Sequence, residues 1–527
     1  MKRKLILKIF LGIIALVILL KFLSIVFIEP LVEGKIKEAL RKSNRGYIVK
    51  IDKVRIYWII SRIKLIRITI GSEREQGSDR YLNGGIESIK LKGINLIKAI
   101  FKNDIYINQI HVSNIGIKGK IPFSVKSAPA IVSPINIRIG RIIFDRIDLM
   151  MENDSTAQSF SVKNGVLKVY DLQVEKQDTL SAGIVKQFDF GAEEFVTVST
   201  DSMYSYTASG IVFYADSNAL AVDSFFIQPN YTDYDFTSRH EFQTVRIEAG
   251  FSNIHARGFY AAEYLISGSL ISSDIEIGKM DMKVFRDKRK EFRHINRLAF
   301  QEIIYNYPGT IQIDSIGLTN GNVTYAVHAE KANEPGSISF NEINAEIYNI
   351  TNDTIYKTDS AFLELKGDAL LMGKGKMTIL LRGRIFDSHN TFSLNGTLSE
   401  LEANELNPIL EKNAFIYATS GNINSMNFSF TANNTKATGN MTLLYQGLDI
   451  AVKNKQTDDT TAFLEEFISL IVNRKVLDSN PIPGEDVREG TIDFERDPER
   501  FLFSYCFKSI LTGIKSSFAK SPKVKKN

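Results

Sequence analysis

The chain has 527 residues, with 65 Lys and Arg against 60 Asp and Glu, a net charge of +5. The balance is uneven: residues 1–70 hold sixteen basic and four acidic side chains, a net +12, which leaves −7 for the remaining 457. Such segregation points to a membrane or polyanion near one end. At 44% hydrophobic the chain has too much apolar surface for disorder, and its length exceeds the ~250–300 residues at which single cores stop growing. The single cysteine, Cys506, excludes an intramolecular disulfide framework and a cysteine-built zinc site.

The first element, residues 1–28, reads as a signal anchor. Leu5 to Ile28 is apolar apart from Lys8, Lys21 and Ser24. Twenty-four helical residues at ~1.5 Å each would span roughly 36 Å, enough to cross a ~30 Å hydrocarbon layer. The rival, a cleavable signal peptide, lacks a small-residue site after Ile28. Basic residues flank the span on both sides, so charge nearly cancels as a guide to orientation. A short cytoplasmic tail with an exported body is the simpler topology. Residues 29–45 follow as an amphipathic helix, with Val32, Ile36 and Leu40 four apart; it either lies on the membrane surface or caps a sheet.

From Tyr47 the dominant period is two, as in Ile135-Asn136-Ile137-Arg138-Ile139, Ile311-Gln312-Ile313 and Phe428-Ser429-Phe430. Turn signals such as Asn83-Gly84-Gly85, Asn164-Gly165 and Asn320-Gly321 punctuate the runs. The expected fold is mainly β: an elongated, twisted, mostly antiparallel sheet with one apolar face and short amphipathic helices at its ends. A degenerate repeat relates Ile86–Leu96, Ile105–Ile117 and Ile311–Tyr325, with Ser337–Ile350 adding a strand pair. The expected divisions are a β-groove region at 46–300, a second β region at 301–460 and a helical, basic end at 461–527. Alternation cannot tell whether the apolar face closes on a packed core or curls into an open trough.

Catalytic and metal-binding patterns do not emerge. The six histidines stand singly, without H-x-H or H-E-x-x-H, and Gly373-Lys374-Gly375-Lys376 lacks the spacing and the Ser/Thr of a phosphate loop. The expectation is a non-enzyme without cofactor or metal. The basic run Lys283, Arg286, Lys288, Arg289, Lys290, Arg293 and Arg297 has two readings, an anionic-headgroup site or a solvated linker interleaved with Asp281, Asp287 and Glu291. It has no aromatic platform of the kind single-stranded nucleic acid needs, and no nucleic-acid partner is expected. Near the C-terminus, Phe463, Leu464, Phe467, Ile468 and Ile471 are helically spaced. A second stripe, Phe503, Phe507, Leu511, Ile514 and Phe518, has lysines alongside. It either plugs the end of the apolar sheet or docks on an anionic bilayer or a receptor.

Three stretches resemble the AsmA-like family of bacterial envelope proteins, which includes TamB-like members. They are the anchor followed by Glu33–Trp58; Asp281–Lys290 leading to Ile311–Tyr325; and Phe392–Leu410 running to Ser429–Val452, with Leu406-Asn407-Pro408 and the strand of Ala437, Gly439 and Met441. Residues 126–270 share only the strand texture. The resemblance implies a single-pass protein of the bacterial inner membrane with a periplasmic, elongated β-groove. It also implies a part in outer-membrane phospholipid homeostasis. On that reading the partners are a phospholipid bilayer and acyl chains, and Ile311, Ile313, Phe392, Leu394, Phe428, Phe430, Met441 and Leu443 are candidate groove-lining residues. A closed core of the same residues is the other reading. The alternative function is an assembly factor whose strand edges engage outer-membrane β-barrel proteins.

Overall fold

A computed structural model describes Gly34 and residues 47–57, 60–72, 80–94, 104–121, 136–175, 185–357, 362–452 and 476–518. The expected anchor at 1–28, the helix at 29–45 (Gly34 apart) and the stripe at 463–471 lie outside the described residues. Among the described residues, no helix is long and apolar enough to cross a membrane. The chain is mainly β and forms two compact units, residues 1–222 and 223–527.

The first unit contains β1 (Tyr47–Tyr57), β2 (Arg62–Ser72), β3 (Tyr81–Lys92), β4 (Asp104–Ile121), β5 (Asn136–Asn153), β6 (Ser159–Val174), β7 (Phe188–Val198) and β8 (Tyr204–Tyr214). They pair in chain order, all antiparallel except β4 with β5. The β-branched runs explain the strands, and slips in their alternation explain the bulges. On β5 the apolar positions are Ile137 and Ile139, then Ile142 and Phe144, then Ile147 and Leu149. Each slip would turn the following residues to the opposite face. The ladder absorbs the second slip with register shifts around Ile147, where Arg146 and, on β6, Asn164 take φ of 50° and 49°. One extra residue at a bulge restores the facing of everything after it.

The boundary between units falls within β9 (Ala219–Pro229). The second unit contains β10 (Val245–Arg257), β11 (Leu270–Asp287), β12 (Ile311–His328), β13 (Gly336–Thr351), β14 (Leu363–Leu371), β15 (Gly375–Gly383), β16 (Phe392–Leu398), the short β17 (Leu401–Glu402), β18 (Ile416–Ala432), β19 (Lys436–Val452) and β20 (Glu489–Glu495). Strands β10 to β16 pair in chain order, followed by β18, β19 and β20, with β17 beside β18. Only β11 and β12 are parallel. The helices are α1 (Asp233–Ser238), α2 (Ala261–Ser267), α3 (Phe300–Tyr305), α4 (Asn407–Asn413) and α5 (Leu502–Phe518).

The repeat is larger than the sequence suggests: β3 to β7 recur as β10 to β14. In each, two eighteen-residue strands pair in parallel and a sixteen-residue strand follows. The bulges coincide too: Phe144/Ile147 corresponds to Leu318/Gly321, and Asn320 and Glu342 hold φ of 54° and 52° where Arg146 and Asn164 hold theirs. Ile105–Ile117 belongs to β4, whereas Ile311–Tyr325 belongs to β12, the counterpart of β5. These two segments are therefore neighbours within the repeat and not equivalents. A parallel pair needs a crossover, and residues 288–310, which include α3, supply it between β11 and β12.

Candidate functional site

The bulges keep one face of the sheet apolar across many strands. In the first unit, directly paired residues form the file Val54, Leu65, Ile89, Val112, Phe144, Leu167, Phe190 and Phe213. The next file runs Ile56, Ile63, Leu91, Ile110, Ile142, Val169 and Phe188. Eight strands about 4.8 Å apart make the first file roughly 34 Å long. Val54, Val112 and Phe213 are buried, while Leu65, Ile89, Phe144, Leu167 and Phe190 are half-buried. Among the described residues of this unit, no helix packs on the face.

In the second unit a file crosses ten strands: Ala256, Ile275, Ile316, Ile347, Leu365, Leu381, Leu394, Phe430, Gly439 and Ile492. Here part of the face is covered. Among the sequence-selected lining residues, Ile313, Phe392, Leu394, Phe428, Phe430, Met441 and Leu443 are buried in one cluster, and half-buried Ile311 packs against it. The covering elements are α5 and α3, whose Phe300 meets the Phe392 ring at 6.0 Å. Tyr505 meets the Phe392 ring edge-on at 6.1 Å, and Phe518 meets Tyr445 at 5.1 Å. Contact is close because the buried side of α5 carries Ser509, Gly513 and Ser517, one turn apart, and β20 presents Gly490. The surroundings are dry: burial pushes the Tyr505 hydroxyl and the Cys506 thiol each up to about 12.

The predicted stripe on α5 is divided. Phe518 is buried, Leu511 and Ile514 are half-buried, and Phe503 and Phe507 are 56% and 45% exposed, with their rings stacked at 6.3 Å. Phe503 also reaches Tyr325 of β12 at 6.1 Å. Beyond the covered region the same face continues over Met280, Met282 and Val284 of β11 and Val323 and Tyr325 of β12, all half-buried.

Sequence reasoning missed the first unit's files, since register and bulges are invisible in a single strand. The double break in period on β5 was the available signal. Elsewhere, His111 accompanies Asp145 at 2.6 Å and Ser113 at 3.3 Å, but both contacts fall on Nε2. A nucleophile–base–acid relay needs a different ring nitrogen for each partner. A cleft of about 500 Å³ beside Tyr348, Glu364, Lys366 and Arg382 is open and lined by charge, unlike the apolar face. Among the described residues, no group of three His, Cys, Asp or Glu is placed to hold a metal ion. No family model matches the chain, and no curated protein sequence matches it.

Proposed function

We propose that this is a non-enzymatic, lipid-handling protein of the bacterial envelope, membrane-anchored through residues 1–28. It shelters acyl chains on the apolar face of its sheet while headgroups stay in water. The observation that carries this reading is the eight-strand file from Val54 to Phe213. Its half-buried members lie on a face that no described helix covers. Each methylene removed from water there is worth ~0.8 kcal/mol, so an acyl chain along the file would be held by many small, non-directional contacts. Such binding needs no catalytic group and permits sliding. The AsmA-like resemblance supports the same reading, with the body in the periplasm.

The experiment is photo-crosslinking in cells. A photoreactive residue at Leu167 or Phe190 is expected to capture phospholipid, identified by mass spectrometry. One at Lys163, exposed on β6, is expected to capture none. A folded protein giving no lipid adduct at either apolar position would sink the proposal. Strand addition at a sheet edge gains less support: β20 is seven residues long and carries Glu489, Asp493 and Glu495, which discourage edge pairing.

A further inference from the structure

Five cations of the second unit converge where its apolar face ends. Arg286 is the last residue of the β11 file Met280, Met282, Val284, Arg286, and it pairs with Val245 and Val327 on the flanking strands. Lys288 follows, its backbone N–H donating to the His328 carbonyl at 2.9 Å. Arg500 lies 3.7 Å over the Phe292 ring, and Arg286 lies over the same ring at 5.9 Å. Arg297 stacks on Phe501 at 4.7 Å, and α5 contributes Lys508. Phe292 and Phe501 thus give the basic cluster aromatic support.

The neighbouring carboxylates do not balance this charge. Asp497 holds Arg500 at 3.2 Å, while Asp287 is occupied by Arg289 and Glu499 by His294. The Arg286 Nη2 donates to Gln243 at 2.9 Å, but the Nε atoms of Arg286 and Arg297 are buried without a partner. Lys288 is exposed to solvent, with protein packed densely around it. That surrounding protein, with Arg286, Arg500 and Lys508, holds its amine down to about 8. Burial, with Arg500 nearby, lowers the Lys508 amine too. Gathering like charges in partly desolvated space destabilises the fold, and a multidentate oxyanion would relieve it with charge-assisted hydrogen bonds.

We propose that Arg286, Lys288, Arg297, Arg500 and Lys508 form a binding site for a phosphoryl anion. The source is either free phosphate or a phospholipid headgroup whose tail follows Val284, Met282 and Met280. The lipid form rests on the acyl-surface reading; the anion site itself does not.

The test is acetylation footprinting of the full chain at pH 8 with peptide mass spectrometry. The probes are inorganic phosphate, vesicles of phosphatidylcholine, and vesicles of phosphatidylcholine with phosphatidylglycerol. Selective protection of Lys288 and Lys508 over Lys283 and Lys290 is expected. Protection by inorganic phosphate identifies the free anion as a sufficient ligand; protection only by phosphatidylglycerol vesicles identifies the lipid headgroup. Lys288→Gln and Lys508→Gln should each weaken protection of the other lysine about tenfold, the loss of one charged contact, with Lys283→Gln unchanged. No protection by any probe, or equal protection of all four lysines, overturns the site. Loss of this footprint with lipid adducts still formed at Leu167 would remove the anion site and leave the acyl surface standing.

Discussion

Replacing Phe430 by alanine separates core from groove at the residues that the sequence nominated for lipid contact. Phe430 is 2% exposed, with its ring 6.4 Å from Phe392 and 6.3 Å from Phe428. Truncating a fully buried phenylalanine costs about 3–5 kcal/mol, because transfer energy is lost and a cavity remains. That is a large share of a typical stability of ~5–15 kcal/mol. Phe190→Ala removes a half-buried ring from the first unit's file, and its cost should be roughly 1.5–2.5 kcal/mol, half the value for full burial. The assay is urea unfolding, followed in the second unit by iodoacetamide labelling of Cys506. The folded thiol resists labelling because burial raises it to about 12. Phe430→Ala should move the labelling midpoint strongly and leave lipid adducts at Leu167 intact. Phe190→Ala should leave that midpoint in place and weaken the adducts. If Phe430→Ala costs under about 1 kcal/mol and abolishes lipid capture, the face beneath α5 is an open groove and the reasoning is wrong.

Three further outcomes test the packing. A Cβ on Gly490 would meet the Gly513 carbonyl at 2.5 Å and the Ser517 hydroxyl, whereas one on Gly513 meets the side chains of Ile492 and Met441 at 2.9 Å. Gly490→Ala should therefore cost about 1–3 kcal/mol and speed Cys506 labelling. Gly513→Ala should stay within about 1 kcal/mol, as helix propensity offsets the crowding. Asn480 is 1% exposed; it donates to the Leu443 carbonyl at 2.6 Å and accepts from the Arg488 N–H at 2.9 Å. Asn480→Leu strands both groups and should lower the urea midpoint by the equivalent of at least about 2 kcal/mol; an unchanged midpoint contradicts this. The Thr391 side chain and the N–H groups of His389 and Thr391 hold the Asp387 carboxyl down to about 2. Its folded value is depressed, so its contribution is present above the ordinary carboxylate range and lost as pH falls toward 2. Asp387→Asn should cost roughly 2 kcal/mol at most at pH 7, with the gap to the parent narrowing between pH 4 and 2 in acid-unfolding curves.

Much of this architecture is already in the residue order. β-Branched alternation determines that the body is strands with one apolar face, and the break at Phe144/Ile147 marks where a bulge is required. The lone cysteine determines that no intramolecular disulfide staples the chain. Register is another matter, because it depends on which distant strand supplies each hydrogen bond. The pairing of Val112 with Phe144, parallel in a mostly antiparallel sheet, leaves no local trace. Nor does the segment order say which stretch of apolar face is covered. Phe428-Ser429-Phe430 and Phe188-Asp189-Phe190 alternate identically, yet the former lies in the cluster packed under α5 and the latter in a unit whose described residues include no covering helix. Likewise, the charges of Arg286, Lys288, Arg297, Arg500 and Lys508 are spread over 223 positions, from 286 to 508, and the run around Arg286 reads in sequence either as a headgroup site or as a solvated linker. Only the folded chain brings them together. Alternation is a property of neighbours along the backbone, whereas cover, register and charge convergence are properties of neighbours in space.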